Sequence, residues 1–151
     1  MRRAGTVDGV PGTDDLVEAI LTSYDTITVV GASGDPFKAA HRVPARMQQL
    51  GWLIIPVNLR GGELFGVPAY RTLAEVPAPV GLVDVFRPSR QAADVARQAV
   101  AAGATALWLQ LGIVSAEARA ITEAAGLPYV EDRCLAVEVR RLGLTGPRAL
   151  D

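Results

Sequence analysis

The sequence TITVVGASG, at residues 26–34, decides the fold class. Its first five residues are all β-branched, and such a short uncharged run is typical of a strand buried in a sheet. Gly31 ends the run and predicts a tight turn out of the strand. A strand buried on both faces is typical of a parallel sheet that carries helices on each side.

Strand patterns and helix patterns alternate outward from this stretch. Further short apolar runs predict strands at residues 52–57, 81–86, 106–109 and 128–130. Helical patterns begin at residues 13–15 and cover the segments 41–50, 89–103, 115–126 and 135–142. We expect Ser89 and Ser115 to cap their helices and Pro44 to lie in a first turn, whereas residues 58–66 predict a loop. The alternation predicts an α/β fold with a doubly wound, mainly parallel five-stranded sheet and helices on both faces.

The composition restricts the classes of function. The chain has 151 residues and a formal net charge of -1, from 15 basic and 16 acidic side chains, which gives no overall electrostatic case for binding nucleic acid or an anionic membrane. One cysteine and one histidine exclude an intrachain disulfide and a metal site built from several such side chains. No apolar run approaches the roughly 18–20 residues of a membrane-spanning helix, and no signal peptide is recognised. We therefore expect a cytoplasmic protein with one domain at residues 13–144, between flexible segments at residues 1–12 and 145–151.

The turn after the first predicted strand is where a dinucleotide-binding protein carries its glycine fingerprint. Here Ser33 stands in place of the second glycine and Pro36 in place of the third, so the fingerprint is absent. Gly31 still provides the tight turn, and Ser33 offers its hydroxyl or its backbone N–H to a phosphate oxygen. The alternative, that residues 31–34 only connect a strand to a helix, remains open at this point.

The end of the second predicted strand argues against NAD, because it lacks the Asp or Glu that accepts hydrogen bonds from the ribose hydroxyls. Asn58 and Arg60 stand there and suit a phosphorylated ribose, such as the 2′-phosphate of NADP or the 3′-phosphate of coenzyme A. Basic residues also follow the first and third strands, and they predict an anion site together with Arg60: Lys38, His41, Arg42 and Arg87. The alternative is that these arginines are ordinary solvated loop residues.

Seven short motifs follow one another along the chain: Gly31-Ala32-Ser33, His41-Arg42-Val43, Pro56-Val57-Asn58, Gly66 with Tyr70, Val85-Phe86-Arg87, Trp108 with Gln110 and Gly112, and Asp132-Arg133-Cys134. In this order they resemble the small stand-alone CoA-binding proteins, whose fold is similar to the N-terminal domain of the succinyl-CoA synthetase α subunit. The resemblance covers residues 20–144, although no single motif is specific. One position departs from many of these relatives, since Leu59 stands where they have a proline after the asparagine.

The resemblance implies a Rossmann-like domain with coenzyme A as its cofactor. The implied binding residues lie mostly in the loops after successive strands, and they are Gly31, Ala32, Ser33, Lys38, His41, Arg42, Val57, Asn58, Arg60, Phe86, Arg87, Pro88, Gln110 and Gly112. Residues 31–33 would face the phosphates, and residues 57–60 would flank the adenosine and its 3′-phosphate. Residues 86–88 would border the adenine or the pyrophosphate, and Gln110 and Gly112 would lie towards the pantetheine.

No catalytic set is predicted. Succinyl-CoA synthetase and its relatives use a phosphorylated histidine from a second domain, and His41 lies in the wrong segment to replace it. Asp84 lies within a strand pattern and is interpreted as a structural carboxylate. Cys134 has two interpretations: a buried small apolar side chain, or a thiolate favoured by a helix N-terminus and Arg133 that forms a mixed disulfide with coenzyme A.

We therefore expect a protein that binds coenzyme A or an acyl-CoA and senses, carries or presents it, with no metal, membrane or nucleic-acid partner. One alternative is a small NADP-dependent reductase, for which no hydride-transfer residue is found. Another is an accessory CoA-binding subunit of an acyl-CoA ligase complex. The alanine-rich helix faces are also compatible with a homodimer.

Overall fold

The TITVV stretch forms β1 (Thr26–Val30), an inner strand of a five-stranded parallel sheet. The structure is a computed structural model, and it describes residues 13–77 and 79–147. The strands after β1 are β2 (Leu53–Val57), β3 (Glu63–Leu64), β4 (Val67–Pro68), β5 (Leu82–Val85), β6 (Ala106–Leu109) and β7 (Tyr129–Val130). The helices are α1 (Thr13–Ser23), α2 (Ala39–Gln49), α3 (Ser89–Ala101), α4 (Ala116–Ala124) and α5 (Leu135–Leu142), and a turn of 3₁₀ helix covers Leu73–Glu75.

The large sheet has the strand order β2-β1-β5-β6-β7, and each neighbouring pair is parallel. The chain passes from β1 to β2 on one side and returns on the other side with β5, so the strand order reverses between β1 and β5. Doubly wound folds bind their ligands in the crevice at such a reversal, outside the carboxyl ends of the strands. The predicted Rossmann-like α/β fold with a five-stranded parallel sheet is confirmed.

Helices cover both faces of the sheet, as predicted. On one face α1, α2 and α5 pack around the fully buried Trp108, and on the other face α3 and α4 pack against Val83 and Leu107. Every residue of β1 is buried, including the polar Thr28, whose hydroxyl donates a hydrogen bond to the Val80 carbonyl at 2.6 Å. A buried hydroxyl needs such a partner, and this one lets a threonine lie inside the sheet.

Pro44 lies inside α2, not in its first turn as the sequence predicts, because the helix already begins at Ala39. Proline has no N–H, so the carbonyl of Ala40 lacks its usual helical donor. The backbone N–H of Ser33 donates to this carbonyl instead, at 3.2 Å. The Ala40 carbonyl, which Pro44 leaves free, thus joins the loop after β1 to the start of α2.

Ser89 is the first residue of α3 and not its cap, which corrects the prediction; Pro88 occupies the cap position. The Ser89 hydroxyl oxygen accepts the backbone N–H of Val114 at 3.0 Å, so this side chain joins the loops after β5 and β6. Ser115 caps α4 as predicted, because its hydroxyl oxygen accepts the N–H of Ala118 at 3.0 Å.

Residues 1–12 and residues 148–151, which belong to the two segments predicted to be flexible, lie outside the described residues. Within the second predicted segment, residues 145–151, Gly146 is buried and donates its N–H to the Leu50 carbonyl at 2.8 Å. Within residues 13–77 and 79–147, no helix combines the length and the apolar composition that crossing a bilayer requires. The same residues contain no group of three or more His, Cys, Asp or Glu side chains arranged to hold a metal ion.

Candidate functional site

A cleft of about 790 Å³ opens at the carboxyl ends of β1, β2 and β5, where the strand order reverses. We call it the switch-point cleft. Its walls come from the loops after these three strands, and the lining residues are Gly31, Ala32, Ser33, Gly34, Asp35, Lys38, Asn58, Leu59, Arg60, Phe86, Arg87 and Pro88. The structure therefore brings most of the predicted binding residues together, although they come from three separate segments of the chain.

Gly31 shapes the crevice between β1 and β5. Its φ is +94°, and a Cβ built on it would lie 2.8 Å from the carbonyl oxygen of Phe86. A side chain therefore has neither the backbone conformation nor the space that it needs at this position. The glycine lets the end of β1 approach the end of β5 closely enough to form one wall.

The backbone amides of residues 31–33 are already used inside the protein. The N–H groups of Gly31 and Ala32 donate to the Val57 carbonyl at 2.9 and 3.2 Å, and the N–H of Ser33 donates to Ala40. The expectation that the Ser33 N–H binds a phosphate is therefore wrong, because the Ala40 carbonyl, which Pro44 leaves without a helical donor, accepts that N–H. The Ser33 hydroxyl oxygen accepts the N–H of Asp35 at 3.0 Å, and its own proton can still be donated to a ligand.

Other loop amides of the cleft have no acceptor within the described part of the chain. They are the N–H groups of Gly34, Leu59 and Arg87, one after each of the three strands that form the cleft. Unpaired backbone donors gathered at strand ends are suited to oxygen atoms of an anion. The predicted binding set lacked three lining residues, Gly34, Asp35 and Leu59. Their position in the loops directly after β1 and β2 was the signal that would have included them.

The charge of the cleft is predominantly positive. Lys38, Arg60 and Arg87 line it, and none of the three has an ion pair with a carboxylate among the residues that the structure describes. Arg87 is half-buried, whereas Lys38 and Arg60 are exposed. One lining carboxylate, Asp35, opposes them, and its Oδ1 accepts the N–H of Phe37 at 2.9 Å. Arginine and lysine side chains without a protein partner at a strand edge favour an anionic ligand.

His41 and Arg42, both predicted to bind the ligand, do not line the cleft. The Nδ1 atom of His41 lies 2.7 Å from the carbonyl oxygen of Ser33, and its ring lies 5.0 Å from the ring of Phe65. The guanidinium of Arg42 donates to the carbonyl of Phe37. The two side chains therefore fix the ends of the loop that carries Lys38. Val57 is also outside the lining, since it is buried beneath the glycine turn and supplies the carbonyl that the turn uses.

Gln110 and Gly112 lie after β6 and outside the switch-point cleft. Gln110 is buried, and its Nε2 donates to Oδ1 of Asp84 at 2.7 Å. The other oxygen of Asp84, Oδ2, is buried without a hydrogen-bond partner in the described part of the chain. Burial raises the pKa of Asp84 to about 8, and the hydrogen bond from Gln110 opposes that shift. The Asp84–Gln110 pair thus supports the ends of β5 and β6 from inside the protein. Gly112, in the loop after β6, donates its N–H to Oδ1 of Asp132 at 2.7 Å.

A second cleft, of about 560 Å³, opens at the ends of β6 and β7 and at the start of α5. Cys134 lies in its wall, so we call it the Cys134 cleft. The thiol is half-buried at the cap position of α5, where it makes no side-chain capping bond. Its other walls include Leu111, Val114 and Val137. The sequence patterns did not predict this cleft, because its residues come from separate segments that carry no common motif.

Comparison with known proteins extends these observations. A family model described as the CoA binding domain matches residues 25–140. The uncharacterized protein YneT of Bacillus subtilis is 36% identical over 121 residues, which are 80% of this chain and 90% of that protein. The solved structure of cell-free ID.343 from Thermus thermophilus superimposes with a TM-score of 0.81 at 40% identity and covers 86% of this chain and 98% of that one.

A third relative is a much larger protein. The α subunit of ADP-forming acetate–CoA ligase II from Pyrococcus furiosus is 37% identical over 65 residues, which are 42% of this chain and only 14% of that subunit. The CoA binding domain model, by contrast, spans all five strands of the large sheet and every loop that lines the switch-point cleft. On the strength of that match, this chain belongs to the CoA binding domain family.

Proposed function

We propose that this protein binds coenzyme A, or an acyl-CoA, in the switch-point cleft and carries or presents it. The observation that supports this most directly is the positive charge of Lys38, Arg60 and Arg87 at the three strand ends, since none of them pairs with a carboxylate among the described residues. Coenzyme A carries a pyrophosphate and a 3′-phosphate, so it supplies anions at two separated points. A cleft with cations spread over three loops is complementary to that distribution of charge.

The pyrophosphate fits the crevice between the ends of β1 and β5. The N–H groups of Gly34 and Arg87, which have no acceptor in the described part of the chain, lie on its two sides together with the Ser33 hydroxyl and the Arg87 guanidinium. The phosphorylated ribose then fits at the end of β2, beside Arg60. Leu59, of which 68% is exposed, and Phe86 offer apolar surface for the adenine ring.

Calorimetric titration of the purified protein tests this proposal with three ligands. We expect coenzyme A to bind, and 3′-dephospho-CoA to bind about tenfold or more weakly, because a charge-assisted contact contributes about 1.5–3 kcal/mol. NADP, which carries its phosphate on the 2′ oxygen, is expected to bind more weakly than coenzyme A. Absence of coenzyme A binding at millimolar concentration contradicts the proposal, and tighter binding of NADP favours the reductase alternative.

Arg87→Ala is expected to weaken coenzyme A binding by about tenfold or more, because the half-buried guanidinium loses its contact with a phosphate. Arg97→Ala is the matched control. Arg97 lies on α3 and pairs with Glu117 at 2.6 Å, away from the cleft, so its removal is expected to leave the affinity unchanged. Equal affinities for the Arg87 variant and the unaltered protein would remove Arg87 from the binding site.

A second candidate is an accessory subunit that lends its coenzyme A site to a ligase complex. It is favoured by the 65-residue match to the P. furiosus ligase subunit, a far longer protein that contains this region as a small part. Affinity purification of a tagged copy from its natural host distinguishes the two. A stoichiometric partner that carries an ATP-binding ligase domain supports the accessory role, whereas a protein that elutes without one supports a free-standing carrier.

A further inference from the structure

The Cys134 cleft opens at the same edge of the sheet as the switch-point cleft. The strands are parallel, so the loops after β6 and β7 lie beside those after β1 and β5. From β1 to β7 there are three strand spacings, or roughly 14 Å. A pantetheine arm has about as many chain bonds as four peptide units, so it also spans roughly 14 Å when extended. A ligand whose pyrophosphate lies at β1 and β5 therefore brings its sulfur to the Cys134 cleft.

The path between the two clefts passes over the loop after β6. Gly112 lies on this path with a φ of +86°, and a Cβ built on it would have no atom within 4 Å. The N–H of Gly112 donates to Asp132, which joins this loop to the loop after β7. The loop after β7 is held in turn by the indole N–H of Trp108, which donates to the Arg133 carbonyl at 2.8 Å. The surface at Gly112 is thus open to a pantetheine arm, and the loop beneath it is held in place by hydrogen bonds.

The walls of the Cys134 cleft expose apolar side chains. Leu111 is 70% exposed, Val137 is 57% exposed and Val114 is 48% exposed, and these are three of the six large apolar side chains that the described residues expose. Apolar groups that cluster at the mouth of a cleft are a feature of ligand and partner sites. Burial of such groups against an alkyl chain gives affinity without any directional contact.

The charged groups of this cleft are already paired with one another. Arg133 bonds to Glu138 at 3.1 Å, and Arg119 lies 3.3 Å from Glu123 and 4.7 Å from the centre of the Tyr129 ring. Asp132 accepts a backbone N–H and adds a negative charge. Within the described residues the cleft therefore offers no unpaired cation to a carboxylate, in contrast to the switch-point cleft.

We propose that the Cys134 cleft receives the acyl group of an acyl-CoA, and that it selects an uncharged aliphatic acyl group over a dicarboxylic one. This rests on the proposed binding of the nucleotide part in the switch-point cleft. The apolar walls stabilise an alkyl chain, whereas a terminal carboxylate loses its hydration, lies near Asp132 and has no unpaired cation among the described residues of the cleft. The preferred ligand class is a straight or branched aliphatic acyl-CoA of about six carbons, a size that a cleft of about 560 Å³ holds with space for the sulfur.

The test compares hexanoyl-CoA with adipoyl-CoA, which has the same chain length and a terminal carboxylate, and with desulfo-CoA, which has no acyl group. Hexanoyl-CoA is expected to bind at least tenfold more tightly than desulfo-CoA, because each buried methylene group gives about a fourfold gain in affinity. Adipoyl-CoA is expected to show no such gain. Calorimetric titration of the full chain measures all three.

Cys134 provides an independent readout, since it is the single cysteine of the chain and lies in the cleft wall. Its rate of alkylation by N-ethylmaleimide, followed by mass spectrometry of the intact protein, is expected to fall at least fivefold with saturating hexanoyl-CoA. Saturating desulfo-CoA or adipoyl-CoA is expected to leave it nearly unchanged. Val137→Asp is expected to abolish the gain for hexanoyl-CoA, whereas Val100→Asp, an exposed valine of α3, is expected to retain it.

The outcomes separate this inference from the function on which it rests. If desulfo-CoA does not bind, the proposed function fails and the acyl cleft fails with it. If desulfo-CoA binds but hexanoyl-CoA gives neither tighter binding nor protection of Cys134, only the acyl cleft is overturned. Equal protection by adipoyl-CoA overturns the selectivity for uncharged acyl groups.

Discussion

Gly31→Ala is expected to lower the free energy of unfolding by about 2–5 kcal/mol and to weaken coenzyme A binding beyond detection. The added Cβ would lie 2.8 Å from the Phe86 carbonyl oxygen, and a φ of +94° is unfavourable for any residue that has a Cβ. The conformational cost is about 1–2 kcal/mol, and the displacement of backbone by overpacking adds about 1–3 kcal/mol. The carbonyl belongs to a lining residue of the switch-point cleft, so the same displacement changes the wall against which the phosphates lie. Urea-induced unfolding measures the first effect, and calorimetric titration of the folded variant measures the second.

Gly103→Ala is the matched control for this substitution. Gly103 follows α3 with a φ of +79°, close to that of Gly31, but a Cβ there would have no atom within 4 Å. Its replacement is therefore expected to cost only the conformational part, about 1–2 kcal/mol, and to leave ligand affinity unaltered. If the two variants lose the same small amount of stability and both bind coenzyme A normally, β1 and β5 do not approach each other as the structure has them.

The sheet could be predicted from the sequence because its strands are buried on both faces. A run such as Thr26–Val30 leaves no polar face for solvent, and the one hydroxyl that is fully enclosed, on Thr28, bonds to a backbone carbonyl. The position of the switch-point cleft follows from the same property. Parallel strands end at one edge, so the loops that contain Gly31, Asn58 and Arg87 must meet there.

The hydrogen bonds within those loops could not be predicted, because each depends on a residue distant in the chain. The Ser33 N–H is taken by Ala40 only because Pro44, four residues further on, leaves that carbonyl without a donor. Asp84 and Gln110 are 26 residues apart and meet because β5 and β6 pair in parallel. Residue types at a strand end therefore indicate the kind of ligand, whereas the donors still available to it depend on tertiary contacts.

The small hairpin of β3 and β4 could be predicted only in part, because residues 67–70 favour a short edge element whereas residues 58–66 predict a loop. Each strand has two residues, too short for an alternating pattern to be recognised, and most of the hairpin falls in the segment predicted as a loop. Phe65 in its turn has a φ of +56°, a conformation that non-glycine residues rarely adopt. Its carbonyl accepts the Gln48 side-chain N–H at 2.9 Å and its ring contacts His41, so packing against α2 holds this conformation.

Asp84→Asn is expected to make the protein more stable than the unaltered chain above about pH 4, with a gain that grows as the pH rises towards 8. Burial raises the pKa of Asp84 in the folded protein to about 8, whereas the unfolded chain has a pKa near 3.8. Between these values the folded state holds a proton that the unfolded state has lost. The stability of the unaltered protein therefore falls by about 1.4 kcal/mol for each pH unit in this range and levels off above pH 8. Asparagine does not ionise, so the variant lacks this fall and is expected to be more stable by roughly 3–6 kcal/mol at pH 9.

Urea-induced unfolding at pH 4, 6, 8 and 9 measures the difference in stability between Asp84→Asn and the unaltered protein. Asparagine keeps an Oδ1 acceptor for the Gln110 amide. At pH 4, close to the pKa of Asp84 in the unfolded chain, little of the pH-dependent difference has developed, so the two proteins are expected to agree within about 1 kcal/mol. Asp94→Asn on the exposed surface of α3, where the carboxylate bonds to Gln98 at 2.8 Å, serves as the control and is expected to show no growing gain. A gain for Asp84→Asn that stays constant from pH 4 to pH 8, or a loss at pH 8, would mean that Asp84 is ionised in the folded protein. Its Oδ2 would then need a donor beneath the ends of β5 and β6, and the support of the strand ends would be an ionic contact and not a neutral acid–amide pair.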